Sequence, residues 1–363
     1  MFTPERLVLA RKRRRMTLAA LAREAGVSAQ SLTAYENGRK TPTSDTLLMI
    51  AHALRFPVSF FALPTPLELP ADAVSFRAPS KMSAIEREST LSAGMVATDL
   101  NQWLEERFKL PAFSIPTLPH LHPSEAAERV RAYWGLGESP IANMVHLLEA
   151  HGVRVFSLPP DCLDVDAFTT TRPGTPFVFL NTRKSGERGR FDAAHELGHM
   201  VLHCEHRVPG SKETENEANE FASAFLMPRA GLLAQKLYDA SIERILSAKR
   251  RWGVSAMALT YRLHKLNLLS DWRYHQTAKQ LSQMGYRAGE PGSVLPRESS
   301  QLLAKVFGAL RSQGITSTDF AAQLHVSSED LNGYVFGLIP TTLQGGGEQS
   351  SPGKPQLRLI RTN

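Results

Sequence analysis

The sequence predicts a mainly α-helical chain with a small β-sheet, an α+β arrangement, and three observations carry that expectation. The first 60 residues break into short amphipathic segments opened by Ser, Thr or Pro and closed by Gly or Asn. Three short runs rich in Val, Phe and Thr occur over residues 153–156, 167–171 and 177–181, which suits strands. Helical periodicity then returns around a His-Glu-x-x-His run at 195–199 and persists to the C-terminal part.

At 363 residues the chain has room for two or three domains. Cys162 and Cys204 are the only cysteines, too few for a disulfide framework. No stretch approaches a membrane-spanning run, and the basic N-terminus leads into Met16-Thr17 rather than an apolar signal core, so a cytoplasmic protein without a membrane partner is expected. Net charge is +7, and residues 1–40 hold nine basic side chains against three acidic ones, most of the excess. That concentration points to a polyanionic partner.

Helices are expected over Pro4–Arg15, over Leu18–Glu24 behind Thr17, and over Ala29–Glu36 behind Ser28. Two more run from the Pro42-Thr43-Ser44-Asp45 start to Leu54 and from Pro57 to Phe61. Ala25-Gly26-Val27 turns between the second and third, which makes a helix-turn-helix. The Leu-Ala-x-x-Ala-Gly-Val-Ser run, with Tyr35-Glu36-Asn37-Gly38-Arg39-Lys40-x-Pro42, resembles the XRE (Cro-type) family of DNA-binding domains over residues 5–62. In a helix-turn-helix the second helix enters the major groove, so Gln30 and Thr33 are the candidate base readers, with Ala29 and Ala34 available to a thymine methyl. Thr17, Ser28, Asn37, Arg39 and Lys40 are candidate phosphate contacts, and the Arg11–Arg15 run is expected to add to them. Double-stranded operator DNA, bound as a homodimer, is the partner this implies.

Leu63 to Pro70 reads as a linker, followed by a helical connector over about 83–110. Pro111 to Pro123 reads as a loop, helices are expected from Ser124 to Trp134 and from Pro140 to His151, and Gly152 turns the chain into the first strand. Arg172–Pro176 is a hairpin turn, and a small antiparallel sheet is expected, whose edge could take an extended peptide by strand addition. Thr182 to Arg190 reads as a flexible basic loop.

On a helix, positions i and i+4 point the same way, so His195 and His199 can grip one cation, and Glu196 beside them can act as general base. A third ligand is needed. Glu215 is the choice, with Glu217 as fallback; Asn219, four residues beyond Glu215, is placed to bond the outer nitrogen of His195 or His199. His203 lies one turn further along. The His-Glu-Leu-Gly-His-x-x-x-His run, with Glu-x-Glu-Ala-Asn-x-Phe-Ala and Leu-Met-Pro after it, resembles the ImmA/IrrE family of bacterial metallopeptidases over residues 120–270. The resemblance implies a zincin-like domain, with His195, His199 and Glu215 as zinc ligands and Glu196 as base. It also implies a protein substrate, a repressor, cut in a stress or mobile-element response. Manganese is expected to be able to take its place in vitro.

Beyond the metal motif, Cys204 is a candidate redox ligand, and Tyr261, Arg262 and His264 are candidates to stabilise an oxyanion. Residues 315–331 mimic a second helix-turn-helix without its glycine turn, which suits packing better than DNA. The expected boundaries are 1–63, 64–119, 120–270, a helical region 271–343, and a disordered Gly/Ser/Pro-rich tail 344–363. The rival reading is a transcription factor whose metal domain senses a metal or ligand and does not cut.

Overall fold

The computed structural model describes residues 1–67, 69, 75–76, 83–162, 165–172, 174–203 and 211–338. Cys204 and the tail 344–363, both singled out in the sequence, lie outside the described residues.

The N-terminal head consists of α1 (Pro4–Arg13), α2 (Leu18–Ala25), α3 (Ala29–Glu36), α4 (Ser44–Leu54) and a 3-10 turn at Val58–Ala62. Thr17, Ser28 and Thr43 accept first-turn amides, and Gly26 closes α2 at φ 65°, a left-handed conformation suited to glycine. After β1 (Ser75–Phe76) come α5 (Ala84–Glu105), α6 (Pro123–Tyr133), α7 (Met144–Ala150), β2 (Arg154–Ser157), β3 (Ala167–Arg172) and β4 (Thr175–Leu180). Next are α8 (Gly186–Leu202), α9 (Lys212–Leu226), α10 (Arg229–Leu233), α11 (Ile242–Trp252), α12 (Ala256–Lys265) and α13 (Asp271–Gln283). The described chain closes with α14 (Gln301–Ser312), α15 (Ser317–Gln323) and α16 (Ser328–Tyr334). None of these helices is long and apolar enough to cross a membrane.

The sheet order is β1-β3-β4-β2. The β3–β4 hairpin is antiparallel, with Phe168 opposite Phe179, but β2 runs parallel to β4, so the expected antiparallel sheet is in fact mixed. All four residues of β2 are buried, which suits a parallel strand covered on both faces. The expected basic loop is also corrected. Helix α8 starts at Gly186, capped by Ser185, and Arg190 is buried on Glu298.

Alternation along the strands divides the molecule into two cores. Phe156, Phe168, Phe177 and Phe179 pack on one side, with α5, α14–α16 and the head residues Leu7, Phe56, Phe60 and Phe61. Val155, Ala167, Val178 and Leu180 pack on the other, with Ala193, Leu197, Phe221 and Phe225 of α8 and α9. The head core therefore continues into the body.

Lys12 to Arg15 form the seam with the body, Arg11 is paired within the head, and the run does not project toward a polyanion. Arg11 pairs with Glu36 at 2.6 Å, Lys12 with Glu88 at 2.9 Å and Arg14 with Asp330 at 2.6 Å. Arg13 is buried, ion-paired to Asp161 and bonded to the Tyr334 hydroxyl, while Arg15 donates to the Asp161 carbonyl. Asp161 and Asp330 lie far away in sequence, so the run looked like a free charge cluster. The 315–331 segment supplies Asp330 as a packing element, as expected.

The C-terminal helices are tied on by two reciprocal caps. Glu298 accepts the first amides of α7, and Glu149 at the end of α7 accepts from Gln301, Leu302 and the Ser300 hydroxyl at the start of α14. Burial pushes the Glu149 carboxyl from 4.5 up to about 7, against the pull of those hydrogen bonds. Between those values the folded chain keeps a proton that the unfolded chain has lost. Stability should therefore fall as pH rises through this window. In urea melts at pH 5, 6 and 7, Glu149→Gln is expected to flatten that slope by up to about 1.4 kcal/mol per pH unit. Because the core is shared, head and body should unfold in one transition. Arg13→Ala should lower its stability by about 2 kcal/mol, and separate melting of the head in the native protein would contradict the shared core.

Candidate metal centre and DNA-facing surface

Helices α8 and α9 pack at unusually close range. A Cβ on Gly198 would sit 3.1 Å from the Phe221 ring and 3.2 Å from the Ala218 backbone. A mid-helix glycine costs about 1 kcal/mol of helix propensity, and the contact with α9 offsets it. Ala193, Ala194 and Ala218 are also fully buried.

This approach brings one donor atom from each of His195, His199 and Glu215 within 4.8 Å of the others. The two Nε2 atoms are 3.0 Å apart, and each lies 3.3 Å from a Glu215 oxygen. Donors bound to one tetrahedral ion at roughly 2.0–2.1 Å are separated by about 3.3 Å, so the spacing fits zinc. The ring orientations fit as well. His195 turns its Nδ1 to the Asn219 side-chain oxygen at 3.1 Å, and His199 turns its Nδ1 to His203 Nδ1 at 2.9 Å. His203 Nε2 in turn meets Glu217 at 2.8 Å. Each histidine thus has its ε nitrogen facing the cluster and its δ nitrogen held from outside.

Glu215 titrates well below the ordinary carboxylate range. Burial pushes it up, and the hydrogen bonds and charges of His195 and His199 overcome that. Glu196 does the opposite. It is buried, and burial pushes it to about 7 against the pull of His199 and of the Thr169 hydroxyl, which donates at 2.5 Å.

The structure thus gathers His195, Glu196, His199, Glu215 and Asn219 at one place. Glu217, the fallback ligand, faces His203 instead. Among the oxyanion candidates, Arg262 is buried and donates to the Met227 carbonyl, and His264 pairs with Asp271 and stacks on Tyr274. Both are committed to partners outside the cluster. Thr169 was missed; its only sequence signal is its two-residue spacing from Ala167, which puts both on the α8 face of the sheet. The His199–His203–Glu217 chain was legible only in the i+4 spacing of His203.

In the head, Thr17, Ser28, Ala29, Gln30, Thr33, Asn37, Arg39 and Lys40 are all exposed. The Thr17 and Ser28 hydroxyls cap helices, Thr33 donates to the Ala29 carbonyl and Asn37 to the Thr33 carbonyl. A second helix–turn–helix pair, unnoticed in the sequence, is formed by α11 and α12. Gly253-Val254-Ser255-Ala256-x-x-Leu259-Thr260 repeats Gly26-Val27-Ser28-Ala29-x-x-Leu32-Thr33. Gly253 matches Gly26 with φ 63°, and Ser255 caps α12 as Ser28 caps α3. Here Thr260 is buried and the Glu290 carboxylate accepts the Ala256 amide at the start of α12, so this copy faces inward.

Comparison with known families agrees with both parts. A family model described as the IrrE N-terminal-like domain, a peptidase family, matches residues 148–264, and a helix-turn-helix model matches residues 7–61. Residues 7–61 are helix-turn-helix and residues 148–264 are IrrE-like, joined in one chain. The IrrE-like match begins within α7, so α6 lies outside it, although the sequence likeness reached back to about residue 120. No curated protein matches the chain.

Loss of the outer histidine should loosen the site without dismantling it. His203→Ala is expected to weaken zinc affinity by about 10- to 100-fold in a chelator competition, and an unchanged affinity would remove the His199–His203–Glu217 chain from the site.

Proposed function

We propose that this chain is a DNA-binding transcriptional regulator whose IrrE-like domain is a zinc-dependent endopeptidase acting on a protein substrate, a repressor or similar regulator in a stress or mobile-element response. The observation that carries this reading is the convergence of three donor side chains beside a buried glutamate. A sensing site needs the donors; it has no need of a base one residue from them.

In this reading His195, His199 and Glu215 hold the ion, and manganese can replace zinc in vitro. The ion supplies Lewis acidity toward a water and a peptide carbonyl. Asn219 fixes the His195 ring, and His203 fixes that of His199. Glu196, one residue from the first ligand, takes the proton from the attacking water and returns it to the departing amine. The Thr169 hydroxyl holds the Glu196 carboxylate in place. The head docks α3 into the major groove as a homodimer, with Gln30 and Thr33 toward base edges and Thr17, Ser28, Ala29, Asn37, Arg39 and Lys40 lining the contact. The basic run takes no part in that contact.

A metal- or ligand-sensing regulator that does not cut is the second reading, and the core shared between head and body favours it, because a change at the metal centre could reach the head through packed side chains.

Glu196→Gln separates the two. It should keep zinc content and operator affinity while lowering cleavage of a partner encoded by a neighbouring gene by about 100-fold or more. Cutting at the native rate would remove Glu196 from the mechanism, and absence of any cutting in the native protein would favour the sensor.

A further inference from the structure

Strand β1 lies at one end of the sheet, antiparallel to β3, with Ser75 opposite Thr169 and Phe76 opposite Phe168. Thr169 is the residue whose hydroxyl bonds Glu196. Residues directly opposite on an antiparallel pair lie about 4.5–5.5 Å apart, so Ser75 sits beside the residue that holds the base. Upstream in the same segment, Leu69 is buried and approaches Gly94 of α5 near Phe168 and Phe179. The chain is thus anchored on the far face of the sheet shortly before it pairs along the edge.

The other edge, β2, does not carry the residue that bonds Glu196, and its end is covered. Helix α16 packs on β2, and the Ser157 hydroxyl donates to the Gly333 carbonyl at 2.8 Å. An extended polypeptide reaching Glu196 by strand addition would pair with β3. That edge is the one the chain's own Ser75–Phe76 occupies.

We infer that β1 is an intrachain occupant of the substrate edge, so that the segment joining the DNA-binding head to the body competes with any protein substrate for pairing with β3. The inference rests on the peptidase reading for the meaning of that edge. Its consequence is regulatory. An event that draws Ser75–Phe76 off β3 opens the edge, and the segment that must move is the one that joins the head.

The test replaces both residues by proline, which cannot donate to the ladder. It compares Glu196→Gln with Glu196→Gln carrying Ser75→Pro and Phe76→Pro, each loaded with zinc. Amide exchange over residues 167–171 should quicken in the proline variant while exchange over α8 and α9 stays unchanged, which also shows that the fold survives. Fluorescein-labelled β-casein, an unfolded protein, should bind the proline variant about fivefold tighter by anisotropy. A Ser75→Gly, Phe76→Gly pair should move both readouts the same way by less. Unchanged exchange over 167–171 would show that the edge is not occupied, and faster exchange with equal or weaker casein binding would show that the occupant does not compete; either overturns the inference. Failure of the peptidase reading shows separately, as casein cleavage by the zinc-loaded Ser75→Pro, Phe76→Pro chain with Glu196 intact no faster than by the same chain carrying Glu196→Gln.

Discussion

The closeness of α8 to α9 sets the geometry on which everything else depends. Gly198 has no side chain, and Ala218 faces it with the smallest one available. With any larger residue at 198 the helices would have to separate by a few tenths of an ångström or more, and Glu215 would draw away from His195 and His199. Glutamate on one helix and two histidines on the other form a site only at this separation. The cost of glycine and small residues in helix interiors is offset by what their absence of bulk permits: a dense contact between the two helices.

The sheet carries that geometry outward. Its two faces belong to different cores, and Thr169 and Phe168, neighbours in sequence, point to opposite sides. Thr169 touches the buried glutamate; Phe168 packs in the core that includes the head. The basic run closes the same seam, since Arg13 and Arg14 take carboxylates from the loop after β2 and from α16. The head is thereby built into the body, and α3 with the turns flanking it stays exposed.

The parts legible in the sequence were those with local causes. Ser and Thr caps, glycine turns and the i, i+4 spacing of His195 and His199 act over a few residues, and the helices of the head and the two-histidine face followed from them. Asn219 was legible because it shares a helix face with Glu215. The parts that were not legible had distant partners. Nothing near Arg13 announces Asp161 or Tyr334, so a structural seam read as a nucleic-acid patch. The parallel placement of β2 depends on what covers it, and Thr169 acquires its role only through register. The inward-facing α11–α12 pair repeats the head's turn motif almost residue for residue, yet burial of Thr260 and the Glu290 cap, both tertiary facts, set its role apart.

The most direct test of the account is anomalous diffraction at the zinc edge from metal-loaded crystals of the full chain. One ion per chain is expected, bound by His195 Nε2, His199 Nε2 and a Glu215 oxygen at about 2.0–2.2 Å, with Glu196 outside the ligand set. An ion held by other side chains, or no ion at this position at full zinc loading, would contradict it.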